Sequence, residues 1–373
     1  MPERAVHERD VKTLAALCAP GAERAARGLD AGEWRRALAL ARLNRVAAPM
    51  AKNLARLGLL ELAPENTRAE LASIPRSAAA ANMLILDSAR AILAAACDAG
   101  VDMIPLKGAL YAELFGATDE REMSDADFLV RRVQLGELGA FMRGLGWKRA
   151  ESNLPETFII EYSGEMKFTT DRAGVRVNIE TQWNPSQSLF AAAAYNLDGE
   201  SLWAMARMEP GAPSLPPEAV ILYHIHHMAA VHSFSRLQWI LDLAPLCAAL
   251  KPDWNKLSAL LSDSGLSRAA SMAFFLSSEL FGAPSPPRSD FPSPGASPLF
   301  RATKDLIFKS IAGDAAVKRS GAVSMLLAER RAAPLFQAVF PPAKYLAFRY
   351  PAVPAPLRRP YRAANLISKL VAD

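Results

Sequence analysis

The sequence predicts an α+β fold, with a small mixed sheet in residues 101–185 between an N-terminal and a C-terminal helical region. Three observations lead there. Residues 11–100 set apolar side chains at three- and four-residue spacing, over 34–60 and again over 82–99, which is the period of a helix. At Gly100 the texture changes to short apolar runs with the alternation of half-buried strands. Beyond Pro185 the helical period returns, most clearly over residues 216–249.

Taken in order, residues 1–100 are expected as helices punctuated at Pro64 and at Ser73-Ile74-Pro75. Residues 101–106 read as a strand, followed by Lys107-Gly108 and a helix over 109–115. Residues 124–130 read as a second strand and 133–145 as a helix. Residues 158–170 and 175–183 then pair as a hairpin, with Arg172 and Ala173 filling the loop of the turn 171–174. A helical region, 186–282, is expected to pack on this core. A Pro/Ser-rich linker, 283–298, leads to a basic helical region, 299–373, with proline breaks near 340–342 and 351–360. No internal repeat of solenoid period is present.

Composition narrows the class. Apolar residues make up 51% and charged residues 22%, a globular balance that excludes wholesale disorder. The three cysteines, Cys18, Cys97 and Cys247, are odd in number and far apart, so a disulfide framework is not expected and a reducing cytoplasm is the simplest setting. The first residues mix both charge signs without an apolar stretch, which argues against a signal peptide. No uninterrupted apolar run approaches the ~20 residues that span a bilayer, so no transmembrane segment is expected. The net charge of +5 is uneven: residues 301–373 hold 13 Lys and Arg against 4 Asp and Glu, leaving 30 against 34 elsewhere. The tail reads either as a surface for phosphates, nucleic acid or an acidic membrane, or as a solvated helical face.

The chemistry concentrates in Arg121-Glu-Met-Ser-Asp-Ala-Asp-Phe-Leu-Val130. On a strand Asp125, Asp127 and Leu129 share one face, and Ala126, Phe128 and Val130 the other. Two aspartates side by side, roughly 7 Å apart at Cα, repel unless a cation lies between them, and a hard divalent ion such as Mg²⁺ answers that need. The plain alternative is a charged strand end. Lys107-Gly108 stands between strand and helix, where glycine lets backbone N–H groups approach a phosphate at the positive helix end. Glycine at such a turn is also commonplace. In residues 175–183, Val175, Val177, Ile179 and Thr181 face one way, and Arg176, Asn178, Glu180 and Gln182 the other. Glu180 is therefore either a third carboxylate for the same cation or part of a solvent-facing sheet surface.

The run LKGALYAELF followed by REMSDADFLV resembles the uncharacterised nucleotidyltransferase family of bacterial proteins, within the polymerase-β-like superfamily. The resemblance extends over most of residues 30–365, including an acid three residues before Trp183 and Arg236-Leu-Gln-Trp-Ile-Leu-Asp242. It implies that Asp125, Asp127 and Glu180 hold two Mg²⁺ (or Mn²⁺) ions and do the catalytic work. Lys107, Gly108, Arg121 and Ser124 would bind the phosphates of a nucleoside triphosphate such as ATP, and Arg236 and Asp242 would orient each other or touch substrate. The implied acceptor is a small molecule, peptide or glycan, with natural-product biosynthesis as the setting. A tRNA-directed or toxin-like nucleotidyltransferase and an inactive scaffold of the same fold are the alternatives. Two departures stand out: Glu180-Thr-Gln-Trp183 occupies the place of the family's D-L-H-W-like string, and Lys107-Gly108 that of the superfamily's Gly-Ser.

Four of the five histidines crowd into residues 224–232. His224 and His227 lie within one helical turn and suit either a zinc pair or a helix packed beside the site. Trp147, Trp183 and Trp239 follow apolar spacing and read as core rather than base-stacking platforms.

Overall fold

Five strands make one mixed sheet in the order β1-β2-β5-β4-β3, with β1 Met103–Leu106, β2 Ala126–Val130, β3 Lys148–Arg149, β4 Glu165–Arg172 and β5 Val175–Gln182. The computed structural model describes residues 2–116, 118–150, 154–209, 212–283, 297–330 and 332–371. The linker expected at 283–298 falls almost wholly outside the described residues. Strand β2 runs parallel to β5, and the other pairings are antiparallel. Pro105 is tolerated because β1 is an edge strand, where a missing N–H costs no ladder bond on the open side. Strands β4 and β5 meet through Ala173 and Gly174, both at positive φ (49° and 77°), as a two-residue type I′ loop requires. The loop is thus one residue further along than expected, and β4 starts at Glu165 rather than 158. Residues 156–163 are helical instead, ending at Gly164, where an added Cβ would lie 2.7 Å from the Asn184 carbonyl oxygen. The two-residue strand β3 carries no pattern long enough to read from sequence.

The sheet divides two apolar clusters. On one face Phe128, Val130, Phe168, Val177 and Ile179 pack with Ile85, Leu86 and Ile92 of helix Glu65–Ala99 and with Leu138 and Met142 of helix Leu135–Gly144. On the other, Ile104, Leu106 and Leu129 join a large helical core that contains Tyr223, Leu237 and Ile240. Asp127 shares this second face with Leu129, and Glu180 lies beside it on β5. Helices Pro217–His226 and Leu237–Leu250 cover that side.

Helix Glu65–Ala99 runs 35 residues straight through Pro75, where sequence reading expects a break. Leu71 is anchored in the helical core and Ile85–Ala96 in the sheet core, and this double burial outweighs the ~3 kcal/mol an internal proline costs. An 18-residue window of this helix has a mean hydropathy of 1.4, so it is long and apolar enough to cross a bilayer by length and composition. Counting uninterrupted apolar runs overlooks it. Here Leu71 lies in one core and Ile85, Leu86, Ala89, Ile92 and Ala96 in the other, while Met83 is exposed. Residues 34–60, expected as one helical stretch, split into Ala31–Leu43 and Ala47–Arg56. The break is held by Asn44, which donates to the Leu40 and Ile311 carbonyls and accepts from Leu237 N–H, and Arg45 follows at φ 55°.

Candidate active site

The strand register builds the site. Leu106, Asp127, Glu180 and Lys167 are successive partners across β1, β2, β5 and β4, so Asp127 and Glu180 stand side by side on parallel neighbours. Strands lie ~4.8 Å apart, which sets two carboxylates within strong repulsion range. Two lysines flank them. Lys107 Nζ lies 2.7 Å from Asp127 Oδ1, and Lys167 Nζ 2.5 Å from Glu180 Oε1. Gln182 Nε2 donates to Asp127 Oδ1 over 2.9 Å, and Tyr223 Oη donates to Gln182 Oε1 over 2.7 Å. Asp125 precedes β2 and accepts from Ser124 Oγ (2.9 Å), which itself accepts from Arg45 Nη1 (2.6 Å).

Electrostatics follow from burial. Asp127 is pushed up to about 7 by burial; Asp125 and Glu180 add to the rise and Lys107 opposes it. Burial acts to raise Glu180 too, but Lys107 and Lys167 overcome it and the carboxyl ends below its ordinary range. Burial would depress Lys107, yet Asp127 and Glu180 hold its ammonium above the ordinary value. Lys107 therefore stays charged, and of the Asp127–Glu180 pair Asp127 is the harder to ionise.

Asp125, Asp127 and Glu180 share a cavity of about 240 Å³ with Lys107, Lys167 and Arg45. His227, His232, Arg236 and Trp239 also line it. His232 stacks on Trp239 with ring centroids 4.0 Å apart, and the Arg236 guanidinium lies 5.4 Å from the Trp239 ring. Backbone strain concentrates here. Of seven non-glycine residues with positive φ among the described residues, Arg45, Lys107 and Gln187 line the cavity. Ser233 and Phe234 shape the loop from His232 to Arg236. Such conformations cost ~1–3 kcal/mol each and persist where surrounding structure holds them.

The phosphate-side residues sit differently from expectation. Arg121 is already engaged, with Nε 3.0 Å from Asp242 Oδ2, both side chains nearly buried, and its guanidinium 5.3 Å from the Tyr111 ring. Asp242 therefore holds Arg121 rather than Arg236. The reason is local: Arg236 is the N-cap, with extended backbone (φ −141°), and directs its side chain to the cavity. The space left by the missing Cβ of Gly108 is filled, since an added Cβ would lie 3.0 Å from Arg121 Nη1 and 3.3 Å from Met123. Glycine here admits the Arg121–Asp242 pair against the helix start.

The histidines hold the roof together. His224 Nε2 donates to the Trp239 carbonyl and Nδ1 accepts from Tyr111 Oη, both at 2.8 Å, so both ring nitrogens are used and no zinc pair with His227 forms. Trp147, Trp183 and Trp239 are buried core residues, as their spacing predicts. Residues to which sequence reading gave no role are Lys167, Tyr223, Arg45 and Gln182, although alternation set Gln182 on the Glu180 face. The alternation Glu165-x-Lys167 on β4 was the signal available for Lys167.

A divalent cation fits the donor chemistry of this row. Asp125, Asp127, Glu180 and Glu165 offer only carboxylate oxygens, and burial holds the Asp127 carboxyl above its ordinary range despite Lys107, a rise that a further positive charge would offset. Among the described residues no three His, Cys, Asp or Glu side chains already gather about one point. Lys107 and Lys167 stand against the carboxylates instead.

A family match over residues 30–282 makes this an enzyme that transfers phosphorus-containing groups. The chain belongs to the uncharacterised nucleotidyltransferase family, whose family model matches residues 30–282. The family makes a nucleoside triphosphate the substrate. The match stops short of the tail, which the resemblance had been expected to include as far as 365. No curated protein and no solved structure matches the chain.

Proposed function

We propose that the protein transfers a nucleoside monophosphate from a nucleoside triphosphate to a hydroxyl or phosphate oxygen of a small-molecule, peptide or glycan acceptor. The observation that carries this is the Asp127–Glu180 register, with Asp125 on the same cavity. The acceptor oxygen attacks the α-phosphorus, the α–β phosphoanhydride bond breaks, and pyrophosphate leaves. Glu180, held ionised by its lysines, would either help hold the metal or take the acceptor's proton. Asp125, Asp127 and Glu180 would hold Mg²⁺ or Mn²⁺, which supplies charge neutralisation for the triphosphate and acidifies the acceptor hydroxyl. Lys107 and Lys167 then spread positive charge along the row.

Space for the acceptor supports the reading. A larger cleft of about 980 Å³ shares Arg121 and Gln238 with the carboxylate cavity and is lined by Leu114, Phe115, Leu241 and Pro245. Such a cleft suits an acceptor with an apolar body. The test is binding and turnover of the four ribonucleoside triphosphates, wild type against the Asp125→Ala/Asp127→Ala double variant. Mg²⁺-dependent binding that vanishes in the double variant is expected. Wild type that binds none of the four with Mg²⁺ or Mn²⁺ would leave an inactive scaffold.

One observation favours an RNA acceptor as the second reading. In the tail, exposed Arg349 and Arg359 accompany Tyr361, which is 48% exposed and 5.2 Å from the Tyr350 ring. Phosphate-contacting arginines beside aromatic rings suit single-stranded nucleic acid. On this reading tRNA binding falls steeply between low and physiological salt, whereas salt-indifferent or absent binding removes it.

A further inference from the structure

We infer that Arg45 and Arg236 form an anion clamp that binds a phosphate group in the cavity, beside the carboxylate row. The inference rests on the nucleotidyltransferase reading and deepens it. Five basic side chains line the cavity: Arg45, Lys107, Arg121, Lys167 and Arg236. Three are committed, Lys107 to Asp127, Arg121 to Asp242, and Lys167 to Glu180. Among the described residues Arg45 and Arg236 have no carboxylate within ion-pair distance. The lysine and arginine that sequence reading assigns to phosphate are thus the engaged ones, and the uncommitted charge comes from the two helical flanks.

The two guanidiniums are placed, not loose. Arg45 sits in the break between two helices at φ 55°, with its Nη1 on Ser124 Oγ beside Asp125. Arg236 is aimed by the strained Ser233-Phe234 turn and lies on the Trp239 ring. Burial lowers the Arg236 value, the charge of Arg45 adds to the fall and Asp125 opposes it, so both groups act on the Arg236 guanidinium. A phosphate between them satisfies both forks at once, and planar guanidinium is built for bidentate phosphate contact. The phosphate comes either from the donor's triphosphate tail or from a phosphorylated acceptor.

The experiment has two arms on the full chain. Inorganic tripolyphosphate is titrated into the free protein, and inorganic phosphate into protein saturated with Mg²⁺ and nucleoside triphosphate. The variants are Arg45→Asn, since Asn accepts positive φ, Arg236→Gln, and both together, with exposed Arg143→Gln as a control. Each single change is expected to weaken one arm about tenfold and the pair about a hundredfold, with Arg143→Gln unchanged. Loss in the tripolyphosphate arm assigns the clamp to the donor, and loss in the phosphate arm to the acceptor. Should a variant fail to fold, Arg45→Lys and Arg236→Lys keep the charge and are expected to bind several-fold weaker. Folded variants that bind as wild type in both arms, or a wild type that binds neither anion, overturn the clamp. Arginine-dependent tripolyphosphate binding without nucleotide binding keeps the clamp and removes the transferase reading.

Discussion

Asp127→Asn is expected to lower nucleotidyl transfer at least a thousandfold while the protein stays folded. Asparagine keeps the shape and can still accept from Lys107 and Gln182 through its carbonyl oxygen, so the contacts of 2.7 and 2.9 Å have a partner. What it removes is the charge at the centre of the row. Loss of one electrostatic contact to a developing charge in a buried site costs ~3–4 kcal/mol, which is two to three orders of magnitude in rate, and a group that also organises its neighbours costs more. Folding is spared because burial already pushes this carboxyl up to about 7. The neutral side chain avoids that burial cost, and Glu180 remains close to Lys107. The measurement is single-turnover transfer beside a melting curve. A folded variant within about fivefold of wild-type turnover would take Asp127 out of the chemistry.

The second large effect is on stability in mild acid. His224, His226, His227 and His232 are all depressed from the ordinary histidine value, first by burial. His226 falls to about 3 on burial alone. The unfolded chain takes up these protons near pH 6.5, whereas the native chain refuses them until far lower. The unfolded state binds more protons in that window, so stability is fully present above about pH 6.5 and is lost as pH falls toward 3. His226 alone contributes on the order of 5 kcal/mol across its window. Asp127 and Glu165, both raised by burial, act in the opposite sense as pH falls from about 7. Four histidines outweigh two carboxyls, and a steep fall in melting temperature is expected between pH 6.5 and 4.5. His226→Leu tests the assignment, because its Nδ1 has no partner and its Nε2 has only a 3.3 Å contact with Ser186 Oγ. The variant should lose about 1.4 kcal/mol per pH unit of that slope. An unchanged slope would place the acid sensitivity elsewhere.

Strands β1, β2 and β5 were legible because each carries an uninterrupted apolar face, and alternation alone put Asp127 and Glu180 on their polar sides. Their adjacency was not legible. It depends on β2 pairing parallel with β5 across a connection that contains two other strands, which no local pattern encodes. Lys107, Arg121, Ser124 and Arg236 all line the cavity, but Arg121 is bound to Asp242, which does not, and its guanidinium fills the space against the helix start at Gly108. Arg45 was invisible for a different reason. Its role comes from a helix break that Asn44 fixes by bonds to residues 237 and 311, and periodicity reads through such a break. Pro75 failed as a stop signal because local propensity is a weak term beside burial in two cores.

The lysines on either side of the carboxylate row have a consequence for how the chain is made. A newly synthesised polypeptide has to bring Asp125, Asp127 and Glu180 together before any substrate is at hand. Lys107 opens the helix directly after β1, and Lys167 arrives with the hairpin, so Asp127 and Glu180 meet their counter-charges through the same strand pairings that assemble the sheet. The fold thus supplies part of the neutralising charge itself, one ammonium each for Asp127 and Glu180, as the sheet closes.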